Sequence, residues 1–175
     1  MSLSSLAVFG LVMMLAGHAH AASDQYKLGP GDKVRVTVFG DDQLSGEFQL
    51  DANGVVALPL IGEVDAHGRT TSELAAAVAD KLSKDYLKNP QVSVEVIDYR
   101  PFYILGEVKN PGSYPFVNGM RVMNAVALAG GFTYRAREGR MKISRDVDGQ
   151  MQELDADQTT VVLPGDVIEV PERFF

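Results

Sequence analysis

At 175 residues, with 46% hydrophobic and 22% charged side chains, the chain has an ordinary globular composition, which excludes a disordered, collagen-like or coiled-coil protein. It contains no cysteine, so a disulfide framework, a thiol nucleophile, a cysteine-ligated metal and a lipidated N-terminal cysteine are all excluded. Lys and Arg total 16 against 23 Asp and Glu, a net charge of −7 that suits neither DNA nor RNA.

Residues 1 to 23 carry no charged side chain, and Leu6 to Gly17 form an apolar run followed by Ala19-His20-Ala21. Small residues at Ala19 and Ala21 are what a signal peptidase pocket admits, so residues 1–22 are expected to be a cleaved signal peptide and the protein to be exported. The run is shorter than the roughly 20 residues a spanning helix needs. Either the α-amino group alone supplies the positive end of this segment, or the start lies upstream. Of the three histidines, His18 and His20 fall in the leader and only His67 remains, which leaves no multi-histidine metal site.

Gly29-Pro30-Gly31-Asp32 reads as a turn, and Lys33 to Phe39 then alternates Val34, Val36 and Val38 with polar residues, the period of a half-buried strand. Short strands follow at Glu47 to Leu50, Val55 to Leu60 and Glu63 to Ala66. Thr70 and Glu73 form a capping box, and Leu74, Ala77, Val78, Leu82, Tyr86 and Leu87 recur at helical steps until Asn89-Pro90 stops the helix. Gln91 to Ile97 is again a strand, with Val92, Val94 and Val96 inward. Asp98-Tyr99-Arg100-Pro101 breaks the alternation and marks a boundary. Phe102 to Val108 and Ser113 to Val117 flank Asn110-Pro111-Gly112, whose Pro-Gly centre predicts a type II turn and a hairpin. Val122 to Ala129 reads as a short helix stopped by Gly130-Gly131. Arg140 to Arg145 and Met151 to Leu154 make a second hairpin about Asp148-Gly149, and Val167 to Val170 closes the chain's strands. The pattern predicts two α+β units.

Leu163-Pro164-Gly165-Asp166 repeats the turn at Leu28 to Asp32, an echo that turn chemistry alone accounts for without duplication. From Arg121 to Arg145 the chain carries six bases (Arg121, Arg135, Arg137, Arg140, Lys142 and Arg145) against Glu138 alone, and from Asp146 onward eight acids against Arg173 alone. Such blocks either join like subunits head to tail or pair across strands within one domain.

Chemistry is sparse. His67 lies in a polar turn, no serine sits in Gly-x-Ser-x-Gly, and no phosphate-cradling glycine loop is present. Asp41-Asp42 has the look of a solvated strand end, and a glycosidase would need two carboxyls across an aromatic-lined cleft that a chain without Trp does not promise. An exported, non-enzymatic module without metal or cofactor is the expectation, and no nucleic acid is expected among its partners.

The order Tyr26-x-Leu28-x-Pro30-Gly31-Asp32, Asp51-x-x-Gly54, Leu58-Pro59-x-x-Gly62, Gly68-x-Thr70-x-x-Glu73-Leu74 and Pro90-x-Val92 resembles the polysaccharide biosynthesis/export domain of the Wza-like outer-membrane exporters. Gly106-x-Val108-x-x-Pro111-Gly112-x-Tyr114 and Ala129-Gly130-Gly131-Phe132 resemble the SLBB β-grasp domain that follows it in those proteins. The resemblance implies an α+β fold with a small mixed-sheet export domain over residues 23–98 and one β-grasp domain over residues 99–175. It further implies a homo-oligomeric ring carrying capsular polysaccharide or exopolysaccharide, working with an inner-membrane chain-length regulator, the polysaccharide copolymerase. Pore-forming members carry a lipidated cysteine and a C-terminal amphipathic helix, whereas this chain closes on Pro171-Glu172-Arg173-Phe174-Phe175. The expectation is therefore a short periplasmic variant, associated with the outer membrane through partners, with a separate outer-membrane β-barrel as exit. Tyr99, Arg100, Tyr103, Tyr134, Arg135 and Arg137 are the candidate glycan contacts, each alternatively strand surface, loop surface or core. Pro30, Gly31, Asp32, Gly54, Pro59, Gly62, Thr70, Glu73, Gly106, Pro111, Gly112, Gly130 and Gly131 are expected to serve structure. A monomeric periplasmic module that binds a glycan or small ligand is the rival reading.

Overall fold

The computed structural model describes residues 26–147 and 149–173. The expected signal segment and Asp148 of the expected Asp148-Gly149 turn lie outside the described residues. Among the described residues the elements run β1 (Lys33–Val38), β2 (Gly46–Gln49), β3 (Val55–Leu58), β4 (Gly62–Asp65), α1 (Thr71–Asp85), β5 (Val92–Asp98), β6 (Phe102–Gly106), β7 (Gly112–Tyr114), α2 (Val122–Leu128), β8 (Met141–Val147), β9 (Gln150–Ala156) and β10 (Val167–Val170). The fold is α+β, as the resemblance implies.

In the first unit β1 lies between β2 and β5, antiparallel to both, and β3 and β4 form a separate hairpin. The alternation of β1 does what its period requires: Val34, Val36 and Val38 are buried, facing Val96, Val94 and Val92 across the β5 ladder. Helix α1 buries Leu74, Val78 and Leu82, one residue per turn, against the same core. Its start is the expected capping box. The Glu73 N–H donates to Thr70 Oγ1 at 3.2 Å and the Thr70 N–H to Glu73 Oε2 at 2.7 Å, a pair of bonds that stabilises the helix by about 1 kcal/mol. The helix stops at Asp85, so Tyr86 and Leu87, read as part of its apolar stripe, lie beyond it. Tyr86 is half exposed and its hydroxyl donates to the Leu60 carbonyl.

In the second unit the strand order is β7-β6-β10-β8-β9, with β10 parallel to β6 and the other pairs antiparallel. Counted within the unit this is second, first, fifth, third, fourth, with the helix after the second strand: a β-grasp. The last strand takes the centre because Ile168 there meets Ile104 of β6 on one side and Ile143 of β8 on the other, all three fully buried. Val122, Ala125 and Val126 of α2 close over this row.

One expected turn is corrected. Pro111-Gly112 is not a type II centre: Gly112 opens β7 opposite Ile104, and its φ is not left-handed. The left-handed residue is Gly106 (φ 86), where a Cβ would collide with the Val170 carbonyl. Lys109 and Asn110 donate their N–H groups to the carbonyls of Gly131 and Ala129 at the end of α2, so a long-range tie shapes this connection instead of the local Pro-Gly preference.

Candidate functional site

Two turns of the same make face the connection between the units. In each, proline sets φ at the second position and a left-handed glycine occupies the third, Gly31 at φ 90 and Gly165 at φ 85. The fourth residue closes the turn reciprocally. Asp32 N–H donates to the Gly29 carbonyl and Gly29 N–H to Asp32 Oδ2 at 2.8 Å; Asp166 N–H donates to the Leu163 carbonyl and Leu163 N–H to Asp166 Oδ2 at 2.7 Å. Both carboxylates are buried, Asp32 at 0% and Asp166 at 1% exposure, so each needs a cation or further donors beside it.

Asp166 takes its cation from β8: Arg145 donates from Nε at 2.8 Å and Nη2 at 2.7 Å, a two-pronged pair. Asp32 takes its cation from the connection. The Arg100 N–H donates to Oδ1 at 2.9 Å, Arg100 Nη1 to Oδ2 at 3.2 Å and the Tyr26 hydroxyl to Oδ2 at 2.5 Å. Arg100 Nη1 also reaches the Tyr26 oxygen at 3.0 Å, with the guanidinium over the Tyr26 ring. Burial, then the charge of Asp32 and the hydrogen bond to it, push the Tyr26 phenol far above its ordinary value. Tyr99 stands edge-on to Tyr26 (centroids 5.0 Å apart) and to Phe116 of the second unit (5.3 Å). The Pro101 carbonyl accepts the Gly165 N–H at 3.1 Å and the Asp166 backbone carbonyl accepts the Tyr103 N–H at 2.8 Å.

The six candidate glycan contacts fall into two groups. Tyr99 and Arg100 sit in this junction, Arg100 with 23% of its side chain exposed, and Tyr103 begins β6 beside them with its side chain half exposed. Tyr134, Arg135 and Arg137 lie beyond the other end of β6, on a segment tied to the final residues: Arg137 N–H donates to the Pro171 carbonyl and Arg135 Nε to Glu172 at 2.7 Å. Tyr134 is 84% exposed. Among the turn residues φ is left-handed at Gly31, Gly54, Gly62, Gly106, Gly130 and Gly131, and Pro59 precedes the left-handed Leu60 (φ 65). The sequence reading treats Asp32 as a turn residue and foresees neither the Tyr26–Asp32–Arg100 cluster nor the Arg145–Asp166 pair. The repeated Pro-Gly-Asp was the available signal.

The opposed charge blocks meet within the chain. Arg135 pairs with Glu172, Lys142 with Glu153 at 2.6 Å and Arg145 with Asp166. Among the described residues no three acidic or histidine side chains converge to hold a metal, and no helix is long and apolar enough to cross a membrane. A groove of about 600 Å³ between β4 and α1 is open and lined by Glu63, Asp65, Arg69, Asp80, Lys81 and Lys84.

Comparison with known proteins places two families along the chain. The polysaccharide biosynthesis/export protein family matches residues 20–97, and the SLBB domain matches residues 101–155. Over 143 residues the chain is 35% identical to the exopolysaccharide production protein ExoF of Rhizobium meliloti (strain 1021), covering 75% of this chain and 34% of that protein. It is 34% identical over 108 residues to the polysialic acid transport protein KpsD of Escherichia coli, covering 61% of this chain and 19% of that protein. The chain thus spans about a third of the length of the first relative and about a fifth of the second.

Proposed function

The chain belongs to the polysaccharide biosynthesis/export family, and on that premise we propose that it is a non-catalytic component of a bacterial exopolysaccharide or capsular polysaccharide export machine. The observation that carries this reading is the tandem order of the two domains, export domain then SLBB domain, along one short chain. In this reading copies of the chain assemble into part of a conduit in the periplasm. An inner-membrane chain-length regulator feeds it, and a separate outer-membrane β-barrel is its exit. A wall for a long hydrated glycan has to offer hydrogen bonds and sugar-stacking rings without deep apolar pockets, since tight binding at one station stalls passage. Tyr103, Tyr134 and Arg137 are exposed side chains of that kind. Arg135 pairs with Glu172, Arg100 bonds Asp32, and Tyr99 stands between Tyr26 and Phe116.

Removing the coding region tests the proposal. Polymer should still be made and should accumulate in the cell envelope; polymer reaching the medium undiminished would overturn the export role. Native mass spectrometry separates the conduit from a binding module. Discrete high-order assemblies support the former, and a strict monomer with a saturable oligosaccharide site supports the latter.

A further inference from the structure

We propose that Arg100 is an interdomain lock, its guanidinium seated in a slot between the two Pro-Gly-Asp turns so that the export and β-grasp domains move as one body. Adjacent domains move relative to each other by default unless a large apolar interface holds them, so a rigid pair needs a specific device. The connection here is three residues long, from the end of β5 at Asp98 to the start of β6 at Phe102. Each of the three is held from outside it. Tyr99 is flanked by Tyr26 of the first domain and Phe116 of the second. Arg100 bonds Asp32 through both backbone and side chain, and Pro101 accepts from Gly165.

The slot is cut by missing side chains. A Cβ on Gly29 would collide with Arg100 Nη1 and lie 2.8 Å from Cζ, and a Cβ on Gly165 would lie 2.6 Å from Nε. Gly165 has a second reason to be glycine, its left-handed φ of 85; Gly29 has none, because its φ is not left-handed. The equivalent position of the other turn makes the point. There the first residue is Leu163, which carries a full side chain, 38% exposed, in a turn closed by the same reciprocal bonds. Glycine at position 29 is thus a requirement of the junction and not of the turn.

The test is ¹⁵N relaxation measured across the amides of both domains in the chain and in two variants. The wild type should show one rotational correlation time throughout. Arg100→Ala empties the slot, and Gly29→Leu fills it with the residue that the other turn carries. Each should yield two shorter correlation times, one per domain, with the amide shifts of Val36 and Ile168 unchanged. Two correlation times in the wild type would overturn the lock, as would a single one in Arg100→Ala with both cores intact. Loss of the first domain's dispersion in Arg100→Ala would also overturn it, since the guanidinium would then serve that domain's fold. Arg145→Ala is the control: it strips the equivalent carboxylate of its cation inside the second domain and should leave the coupling between domains unaltered.

Discussion

The turns at Gly29–Asp32 and Leu163–Asp166 share their Pro-Gly-Asp, their left-handed glycine and their reciprocal hydrogen bonds, and yet they do different work. Asp166 spends its remaining acceptor capacity on Arg145, a residue of its own domain, in a two-pronged contact. Asp32 spends its own on Arg100 and Tyr26, the first from the interdomain connection and the second from the start of the described chain. The local motif fixes where a buried carboxylate sits. What arrives to satisfy it decides whether the motif stabilises a domain or joins two.

Removing each carboxylate is the strongest way to break that comparison. Asp32→Ala leaves the Gly29 N–H, the Tyr26 hydroxyl and Arg100 without their acceptor; Asp166→Ala does the same to Leu163 and Arg145. Each should lower stability by about 3 kcal/mol, the scale for stripping one partner from a buried pair. Native-state hydrogen exchange locates the loss. Asp166→Ala should lower protection at Ile104 and Ile168 alone, whereas Asp32→Ala should lower it at Val34 and Val36 and loosen the junction. Equal effects of both variants on both domains would erase the distinction.

Replacing each arginine by lysine sharpens it at smaller cost. Arg145 uses two guanidinium nitrogens on Asp166, a geometry an ammonium cannot copy, so Arg145→Lys should cost about 2 kcal/mol. Arg100 presents one nitrogen to Asp32 and keeps its backbone bond whatever its side chain, so Arg100→Lys should cost about 1 kcal/mol. Urea midpoints at an unchanged denaturant slope give both values.

Why the sequence showed one half of this and not the other follows from distance along the chain. The capping box, Thr70 to Glu73, and the Pro-Gly-Asp turns each span four residues, so their chemistry is written locally and was readable. The β1 valines and the α1 stripe were readable for the same reason, as periods. Arg100 meets Asp32 and Tyr26 across separations of 68 and 74 residues, so its side-chain type alone suggested a glycan contact. The Pro111-Gly112 turn misled in the opposite sense. Its local signal was clear, and bonds from Lys109 and Asn110 to residues near the end of α2 overrode it. The charge blocks left two readings open; strand register brings Lys142 opposite Asp155 and beside Glu153, and Arg135, Lys142 and Arg145 pair inside the domain.

The smallest expected difference at neutral pH becomes visible in alkali. Tyr26→Phe removes one hydroxyl from the Asp32 cluster and should cost about 1 kcal/mol at pH 7. The Tyr26 pKa is raised in the folded chain, so the bond contributes fully below the unfolded phenol's pKa of about 10 and is lost as pH climbs above it. Above that pH the first domain should therefore lose stability faster in the wild type than in Tyr26→Phe, measured as the difference between their urea midpoints at pH 9 and pH 11. In the second domain the Asp166 carboxylate is met by Arg145 and a backbone N–H in place of a phenol, so its turn should add no such term. A wild-type midpoint that tracks the variant through pH 11 would show that the phenol ionises as freely folded as unfolded. The two turns would then differ in their cations alone.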